Sequence, residues 1–397
     1  MEENTVVQES DDEQDIWSWG AGTDGQLATG ILQDEHTPQL LRPLSSSLGL
    51  VTSLSCGGAH VIALSSGGRV LTWGRGTSGQ LGHGEMVNCL HPKLVNAFQD
   101  SVVTHVSAGW NHSGFVLENG AVFTCGDGSF GQLGHGDYKS QNLPLRVSYF
   151  VSKRVEQVAC GMRHSLVLLK VHGAGNSENR VYGFGLGKRG QLGISTEKVK
   201  STSLPQITIG LTNLEIVNIS ANGDHSAALT ADGSLYTWGR GFSCASDESI
   251  PRLFEAAVTV DEVALGWNHA LLLTNERELL MLGGDRHGAL GDPRTKSSLS
   301  YISGKSKEEI MPIIEKKVLQ IAAGAEHSVL VTDNGLIMTW GWGEHGQLGL
   351  GGTDDQVSPQ VVSLGNTSAT KHAACRVFCG SGFSFVLRNC SQTRETK

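Results

Sequence analysis

The sequence predicts an all-β fold, a seven-bladed β-propeller with the last blade closed by both termini. Three observations carry that prediction: a glycine-punctuated phrase that occurs seven times, a second phrase that alternates with it, and the division of the two between the chain ends. The first phrase is cleanest at Trp73-Gly74-Arg75-Gly76-Thr77-Ser78-Gly79-Gln80-Leu81-Gly82, and further copies open at Trp19, Cys125, Phe184, Trp238, Leu282 and Trp340. Successive copies start about 44 to 59 residues apart, the period of a propeller blade.

The second phrase reads small residue, Gly, two variable residues, His, then an apolar run. Its copies are Cys56-Gly57-Gly58-Ala59-His60, Ala108-Gly109-Trp110-Asn111-His112, Cys160-Gly161-Met162-Arg163-His164, Ala221-Asn222-Gly223-Asp224-His225, Leu265-Gly266-Trp267-Asn268-His269 and Ala323-Gly324-Ala325-Glu326-His327. A seventh, Cys379-Gly380-Ser381-Gly382-Phe383, loses the histidine. Between the two phrases lies a hairpin, turning at Ser66-Gly67-Gly68, Asn119-Gly120, Asp232-Gly233 or Asn334-Gly335, residues that accept the positive φ of a tight turn. Each repeat supplies short strands whose apolar face one repeat cannot bury, so neighbours must stack.

The chain opens with a glycine phrase that no histidine phrase precedes and closes with a histidine phrase that no glycine phrase follows. Six whole repeats and two complementary halves make seven blades, the last built from both ends, which removes open sheet edges. The 52 glycines agree with a fold made of short strands and tight turns. The expected organisation is an acidic disordered tail over 1–15, one propeller over 16–390 and a polar tail over 391–397.

The net charge of -9 is uneven: residues 1–15 hold Glu2, Glu3, Glu9, Asp11, Asp12, Glu13 and Asp15 with no Lys or Arg. An acidic lead-in argues against direct DNA or nucleosome binding, which needs Lys and Arg. No segment reaches the ~20 apolar residues of a membrane span, and the start is unlike a signal peptide. The expectation is a monomer without membrane contact, in the cytoplasm, the nucleus or both.

Gly20-Ala21-Gly22-Thr23-Asp24-Gly25 matches the dinucleotide fingerprint, as do copies at Gly74, Gly126, Gly185 and Gly341. That site needs one copy leading into a helix, whereas these lead into polar loops, so they read as turn chemistry and no cofactor is expected. Six phrase histidines spread over six blades cannot converge on one centre; they read as buried groups bridging backbone between strands. Cys56, Cys160 and Cys379 alternate with Ala and Leu in sister repeats, and Cys125 replaces Trp, so the cysteines read as packing residues. No metal site and no catalytic residue is expected, and the chain reads as a non-enzyme.

The paired phrases, the period and the split closing blade resemble the regulator-of-chromosome-condensation propeller family across nearly the whole chain. The resemblance implies a protein-interaction propeller that regulates a small GTPase, as a candidate guanine-nucleotide exchange factor. Two alternatives accompany it: a UV-B photoreceptor-like signalling protein, and a scaffold unrelated to GTPases. The family's chromatin-binding arm is basic where this one is acidic, and the short loop from Gly126 to Asp137 carries no wedge. Trp110 and Trp267 match tryptophans of the photoreceptor relatives, but Asn111 and Asn268 stand where those have arginine, and three blades of separation place the two rings too far apart to couple.

The variable residues of the histidine phrases should ring one face of the disc, which makes Trp110, Asn111, Arg163, Asp224, Trp267, Asn268 and Glu326 candidate partner-binding residues; Trp and Arg dominate interface energetics. Two insertions add candidates: Lys170 to Arg180, which lengthens a hairpin, and Asp292 to Lys317, which carries Lys305 and Lys307. They are expected at opposite rims. The glycine phrase at Trp238-Gly239-Arg240-Gly241-Phe242 omits Gln-Leu-Gly and should leave an irregular blade.

Overall fold

Seven four-stranded sheets stand around one axis in the computed structural model. It describes residues 13–41, 49–172, 177–241 (apart from 196 and 198), 246–290 (apart from 256, 257 and 285), 300–301, 317–365 and 374–390. In chain order the first six blades span 51–94, 103–146, 155–207, 216–253, 260–301 and 318–361. The seventh combines Glu13–Gly20 and Glu35–Leu41 with Cys375–Cys379 and Phe383–Cys390. Its two halves zip antiparallel from Glu13↔Cys390 to Gly20↔Phe383, so the ring closes through both ends of the chain.

The domain boundary moves slightly: the first strand begins at Glu13, and Asp15 pairs with Arg388 at 2.7 Å rather than belonging to a free tail. Lys305 and Lys307 lie outside the described residues, as do Phe242 and all of the insertion at Asp292 to Lys317 except Ser300, Tyr301 and Lys317. The other insertion extends its hairpin: His164–His172 pairs with Ser177–Leu186 out to His172↔Ser177.

Within each blade the first strand lies at the axis, because first strands touch the first strands of neighbouring blades. The second strands are buried over at least their first five residues, and along their whole length in His60–Ser65, His112–Leu117 and His327–Thr332. Hydrophobic clusters form between blades rather than within them; Ile62, Leu64 and Val70 of the first blade pack with Val106, Phe115 and Leu117 of the second. Outer strands carry a proline in six blades (Pro38, Pro92, Pro144, Pro205, Pro251, Pro359), which denies an incoming strand a continuous ladder. In the fifth blade the fourth strand is instead the two-residue parallel segment Ser300–Tyr301.

The phrases encode the seams. The phrase glycine lies beneath the phrase histidine: a Cβ at Gly109, Gly161 or Gly324 would come within 2.4, 2.2 or 2.1 Å of Cε1 of His112, His164 or His327. The imidazole then reaches into the next blade. His60, His112, His164, His269 and His327 place Nε2 2.9–3.0 Å from Oγ of Ser113, Ser165, Ser226, Ser328 and Ser384. Ser113, Ser165, Ser226 and Ser384 each donate their hydroxyl proton to the carbonyl of Gln80, Gln132, Gln191 or Gln347. At those four seams the histidine must therefore donate to the serine, which fixes the Nε2–H tautomer and leaves Nδ1 as a bare acceptor. The partner is thus a side chain of the next blade, not the backbone expected from the sequence. The phrase tryptophans add a parallel tie: Nε1 of Trp19, Trp73, Trp238 and Trp340 donates to the carbonyl of Gln347, Gln26, Gln191 and Ala289 at 2.8–2.9 Å.

Candidate functional site

The histidine phrases join first to second strands, so all seven open on the same face near the axis. On that face three concentric rings follow from the register. The first variable residues (Gly58, Trp110, Met162, Gly223, Trp267, Ala325, Ser381) surround the axial mouth; Trp110 N–H donates to the Gly161 carbonyl, Trp267 N–H to that of Ala325, and Ser381 N–H to that of Gly57, linking phrase to phrase. The second variable residues lie further out, and each accepts at its carbonyl an N–H from its own blade's glycine phrase, as Asn111 does from Asp127 and Glu326 from Trp342. The outermost ring is that donor position: Ala21, Arg75, Asp127, Leu186, Arg240, Gly284 and Trp342. The variable residues therefore occupy one face, as two rings of different depth.

At the mouth the structure overturns one expectation. Trp110 and Trp267 do couple: their ring centroids are 5.0 Å apart, tilted by 53°. Three blades around the rim is nearly diametric, but the mouth is narrow, and two indoles reaching inward meet across it. Trp110 also lies over Gly58, where a Cβ would approach its ring to 2.7 Å. Beneath them a cavity of about 370 Å³ runs between the first strands, lined near the top by Trp110, Trp267, Met162 and Ser381.

The remaining expected residues divide. Arg163 is exposed and lies 5.0 Å above the Phe130 ring. Asp224 accepts from Gln191 Nε2 at 2.9 Å. Asn111 is partly buried, and its Oδ1 has no hydrogen-bond partner among the described residues. Asn268 donates Nδ2–H to Glu326 Oε1 at 2.6 Å. Glu326 is only 7% exposed, so it is an engaged carboxylate rather than a free surface charge; His287 Nε2 lies 3.3 Å and Arg286 Nε 3.7 Å from its Oε2.

Sequence reasoning missed the neighbours of Glu326. His287 Nδ1 is 2.7 Å from Asp355 Oδ2, so that ring faces a carboxylate at each nitrogen, and His345 Nδ1 is 2.9 Å from Asp34 Oδ2. Trp342 lies between the two imidazoles, with centroids at 5.9 and 5.2 Å. His287 holds a left-handed φ of 58°. A signal was available: Trp342 is the one aromatic residue at the outer-ring position, and residues 318–364 contain no Lys or Arg.

Two departures from the repeat explain one irregular phrase. Asn222 replaces the phrase glycine, and Ala270 replaces the serine that His225 would meet. His225 accordingly lies against two carbonyls, Arg240 O at Nδ1 and Trp267 O at Nε2, each 2.7 Å away. Burial drives the seam histidines toward the neutral form: it lowers His60, His164 and His327 to about 3, and His112 and His269 to about 4. Burial also pushes the thiols of Cys160 and Cys379 up to about 12. On the wall of the lower cavity, burial raises Glu262 to about 7. Among the described residues no group of three or more His, Cys, Asp or Glu is arranged to hold a metal ion, and no helix is long and apolar enough to cross a membrane.

A closed seven-bladed ring with one asymmetric, aromatic-bearing face defines a propeller of the RCC1 type. The RCC1-like domain family matches residues 15–386, and the chain belongs to that family. It is 30% identical to the ultraviolet-B receptor UVR8 of Arabidopsis thaliana over 390 residues, covering 94% of this chain and 83% of that one. It is 29% identical to the mouse secretion-regulating guanine nucleotide exchange factor over 398 residues, covering 94% and 83%. The human E3 ubiquitin-protein ligase HERC2 is 29% identical across 93% of this chain, which spans only 6% of the ligase. Among solved structures, Prp20p of Saccharomyces cerevisiae, described with its binding to Gsp1p and histones, superposes with a TM-score of 0.78 at 26% identity, covering 96% of this chain and 93% of that one.

Proposed function

We propose that this protein is a non-enzymatic interaction propeller that docks a protein partner on the histidine-phrase face, and that the partner is a small GTPase whose nucleotide exchange it regulates. The observation that supports the docking face is its asymmetry. Over the first and seventh blades the ring residues Gly58, Ala59, Ser381, Gly382 and Ala21 are small, with Trp110 overlying Gly58 and Arg75 the one large ring residue, while Trp110, Met162, Arg163, Trp267 and Trp342 supply large side chains on the other blades. Partly exposed tryptophan and arginine beside a run of small residues suit a partner that inserts against a few anchors. The GTPase reading rests on the exchange-factor relative and on the Gsp1p-binding neighbour.

An affinity pull-down from matched extract, with and without EDTA, tests this reading. A small GTPase enriched when nucleotide is stripped and released by GTP with Mg²⁺ is the expected result, since an exchange factor holds the empty GTPase most tightly. Partners indifferent to nucleotide would overturn the exchange reading and leave a scaffold.

The contact between Trp110 and Trp267 favours a second reading, UV-B-responsive signalling, because it brings the two indoles within coupling distance. Asn111 and Asn268 supply no cation to bridge a dimer, so on that reading any light-sensitive association is held by other contacts. A change in elution volume under UV-B would support it; an unchanged elution volume would remove it.

A further inference from the structure

We infer that the junction of the second and third blades, on the face opposite the histidine phrases, is a second docking site, for an acidic segment of a protein partner with apolar residues among its acids. The inference goes beyond the reading above and does not rest on it, since the two surfaces lie on opposite faces. Charge first marks the place. Residues 139–200 hold eleven Lys and Arg against three Glu, in a chain whose totals are 30 and 39. Four of these cations meet at one seam. Arg146 ends the outer strand of the second blade, Lys153 and Arg154 lead into the first strand of the third, and Arg180 stands on its long hairpin.

Lys153 is the hub of the four. Its Nζ lies 3.7 Å from the centre of the Tyr149 ring and 5.5 Å from that of Tyr182. Burial first, and the charge of Arg180 second, hold its ammonium below the usual lysine value. Arg154 packs under the hairpin turn of the second blade, where a Cβ on Gly120 would come within 2.7 Å of its side chain. Arg146 donates to the Val151 carbonyl at 3.2 Å. Glu156, the one acid between Asp137 and Glu178, pairs with Lys170 at 3.3 Å instead. Among the described residues no carboxylate pairs with Arg146, Lys153 or Arg154.

The independent observation is apolar, and the repeat supplies its control. At the junction of the first and second blades the chain reads Lys93-Leu94, Ala97, Gln99 and Ser101-Val102; at this one it reads Leu145-Arg146, Tyr149, Val151 and Lys153-Arg154. The four remaining proline-bearing outer strands keep the polar-then-apolar order, in Gln39-Leu40, Gln206-Ile207, Arg252-Leu253 and Gln360-Val361. Here the order is inverted, and Leu145, Tyr149 and Val151 are 45%, 39% and 55% exposed where the neighbouring junction has polar or small residues. Lys316-Lys317 repeats the charged pair before the sixth blade, but there Asp333 donates its N–H to the Lys317 carbonyl, as Lys170 does to that of Arg154. Opposite charges meet at that turn, and like charges at this one.

The occupant must answer both features. Carboxylates meet guanidinium and ammonium groups in charge-assisted hydrogen bonds, and apolar side chains between them cover Leu145, Tyr149 and Val151. The exposed acids Asp100, Glu118, Glu215, Asp232 and Asp333 stand on the same face around the ring. An anionic bilayer or a long nucleic acid would be pressed against them, whereas a short segment lying in one seam would not.

Fluorescence anisotropy on the full chain, with a fluorescein-labelled peptide of repeated Asp-Asp-Leu, tests the site. That peptide is expected to bind, a Lys-Lys-Leu peptide not, and an Asp-Asp-Ser peptide at least about fivefold more weakly. The variants borrow residues that the first junction already accommodates, and circular dichroism checks that the fold is kept. Arg146→Leu/Arg154→Val should weaken binding about tenfold or more. Leu145→Lys/Val151→Gln adds a positive charge, yet should also weaken it, about fivefold. Lys188→Gln/Lys200→Gln removes two cations from the opposite face of the third blade and should leave binding within about twofold. Diffuse attraction predicts otherwise: equal losses in the two cation-removing variants, and tighter binding by Leu145→Lys/Val151→Gln. Either result, or no binding by the Asp-Asp-Leu peptide, would overturn the site. A single-stranded oligothymidylate or phosphatidylserine vesicles that bind as tightly as the peptide, with loss in the same variants, would overturn the protein partner. None of these outcomes bears on the nucleotide-sensitive pull-down, so the two readings fail separately.

Discussion

Five seams of the ring are tied by a histidine and a serine, and two are not, although all seven close the same gap. At the seam between the fourth and fifth blades Ala270 offers no hydroxyl, and His225 turns to two carbonyls instead. At the seam between the seventh and first, Phe383 stands for histidine and Val61 for serine, both fully buried. The chain therefore contains a polar and an apolar solution to one packing problem. The difference teaches that the phrase histidines are structural ties, and that the price of the polar solution is a set of buried bases that must stay neutral.

The largest expected effect follows from that price. Each seam histidine is depressed in the folded state to about 3 or 4, against about 6.5 in the unfolded chain. Below pH 6.5 the unfolded chain binds protons that the folded chain refuses, so stability falls as pH falls toward the folded values. At about pH 5 each tie costs about 2 kcal/mol, and five together approach the 5–15 kcal/mol that holds a typical domain. Chemical denaturation across pH 8 to 5 should show a steep loss of stability over the lower half of that range. A flat profile would mean that the histidines are not buried neutral bases.

Copying the apolar seam into a polar one sharpens the comparison. His112→Phe/Ser165→Val should fold and lose one proton's worth of acid sensitivity, about 1.4 kcal/mol per pH unit. Ser165→Ala alone leaves His112 Nε2–H unpaired and should cost about 1–3 kcal/mol at neutral pH. Gly161→Ala drives a methyl into the His164 ring and should cost a similar 1–3 kcal/mol, unless the imidazole swings away as His225 does over Asn222. Urea melts of the three variants rank them.

The inner strands give a smaller version of the contrast. Gln157 and Gln320 staple the next blade with both amide atoms: Gln157 donates to Val217 O and accepts from Ile219 N–H, and Gln320 does both with Val377. Glu262 stands at the same register and accepts from the Ile321 backbone, but an ionised carboxylate cannot donate in return. Its folded value of about 7 lies above the usual 4.5, so its stabilising contribution is complete below about pH 4.5 and is lost as pH rises through 7. Glu262→Gln should therefore stabilise the protein, by up to about 3 kcal/mol at pH 8 and far less at pH 5. Equal gains at both values would show that charge is not the cause.

The fold was almost entirely legible because the chain writes the same blade seven times, and the split ends gave the closure. The seam partner was legible in principle, since each histidine with a serine one repeat ahead keeps its tie and His225, facing Ala270, does not. What the sequence hid was distance across the axis. Counting blades measures arc along the rim, whereas inner-ring side chains point at a mouth only a few residues wide. The Trp342 rim was hidden for a second reason: its residues come from three blades and from both ends of the chain, so no single stretch displays it.

The contact between Trp110 and Trp267 is where arc and distance part most, and a double-mutant cycle measures it. Both indoles are partly buried, each attached to a strand end fixed by the ring of phrase-to-phrase backbone bonds, so neither truncation should collapse a blade. An aromatic pair at this separation contributes about 0.5–1.5 kcal/mol beyond burial. Trp110→Ala and Trp267→Ala should each destabilise modestly, and the double variant by less than their sum, with the deficit in that range. Additive losses would mean that the rings pack independently against their own blades. Coupling at that level would show that the mouth is capped by one unit spanning the ring, and partner binding should then respond to either truncation alike.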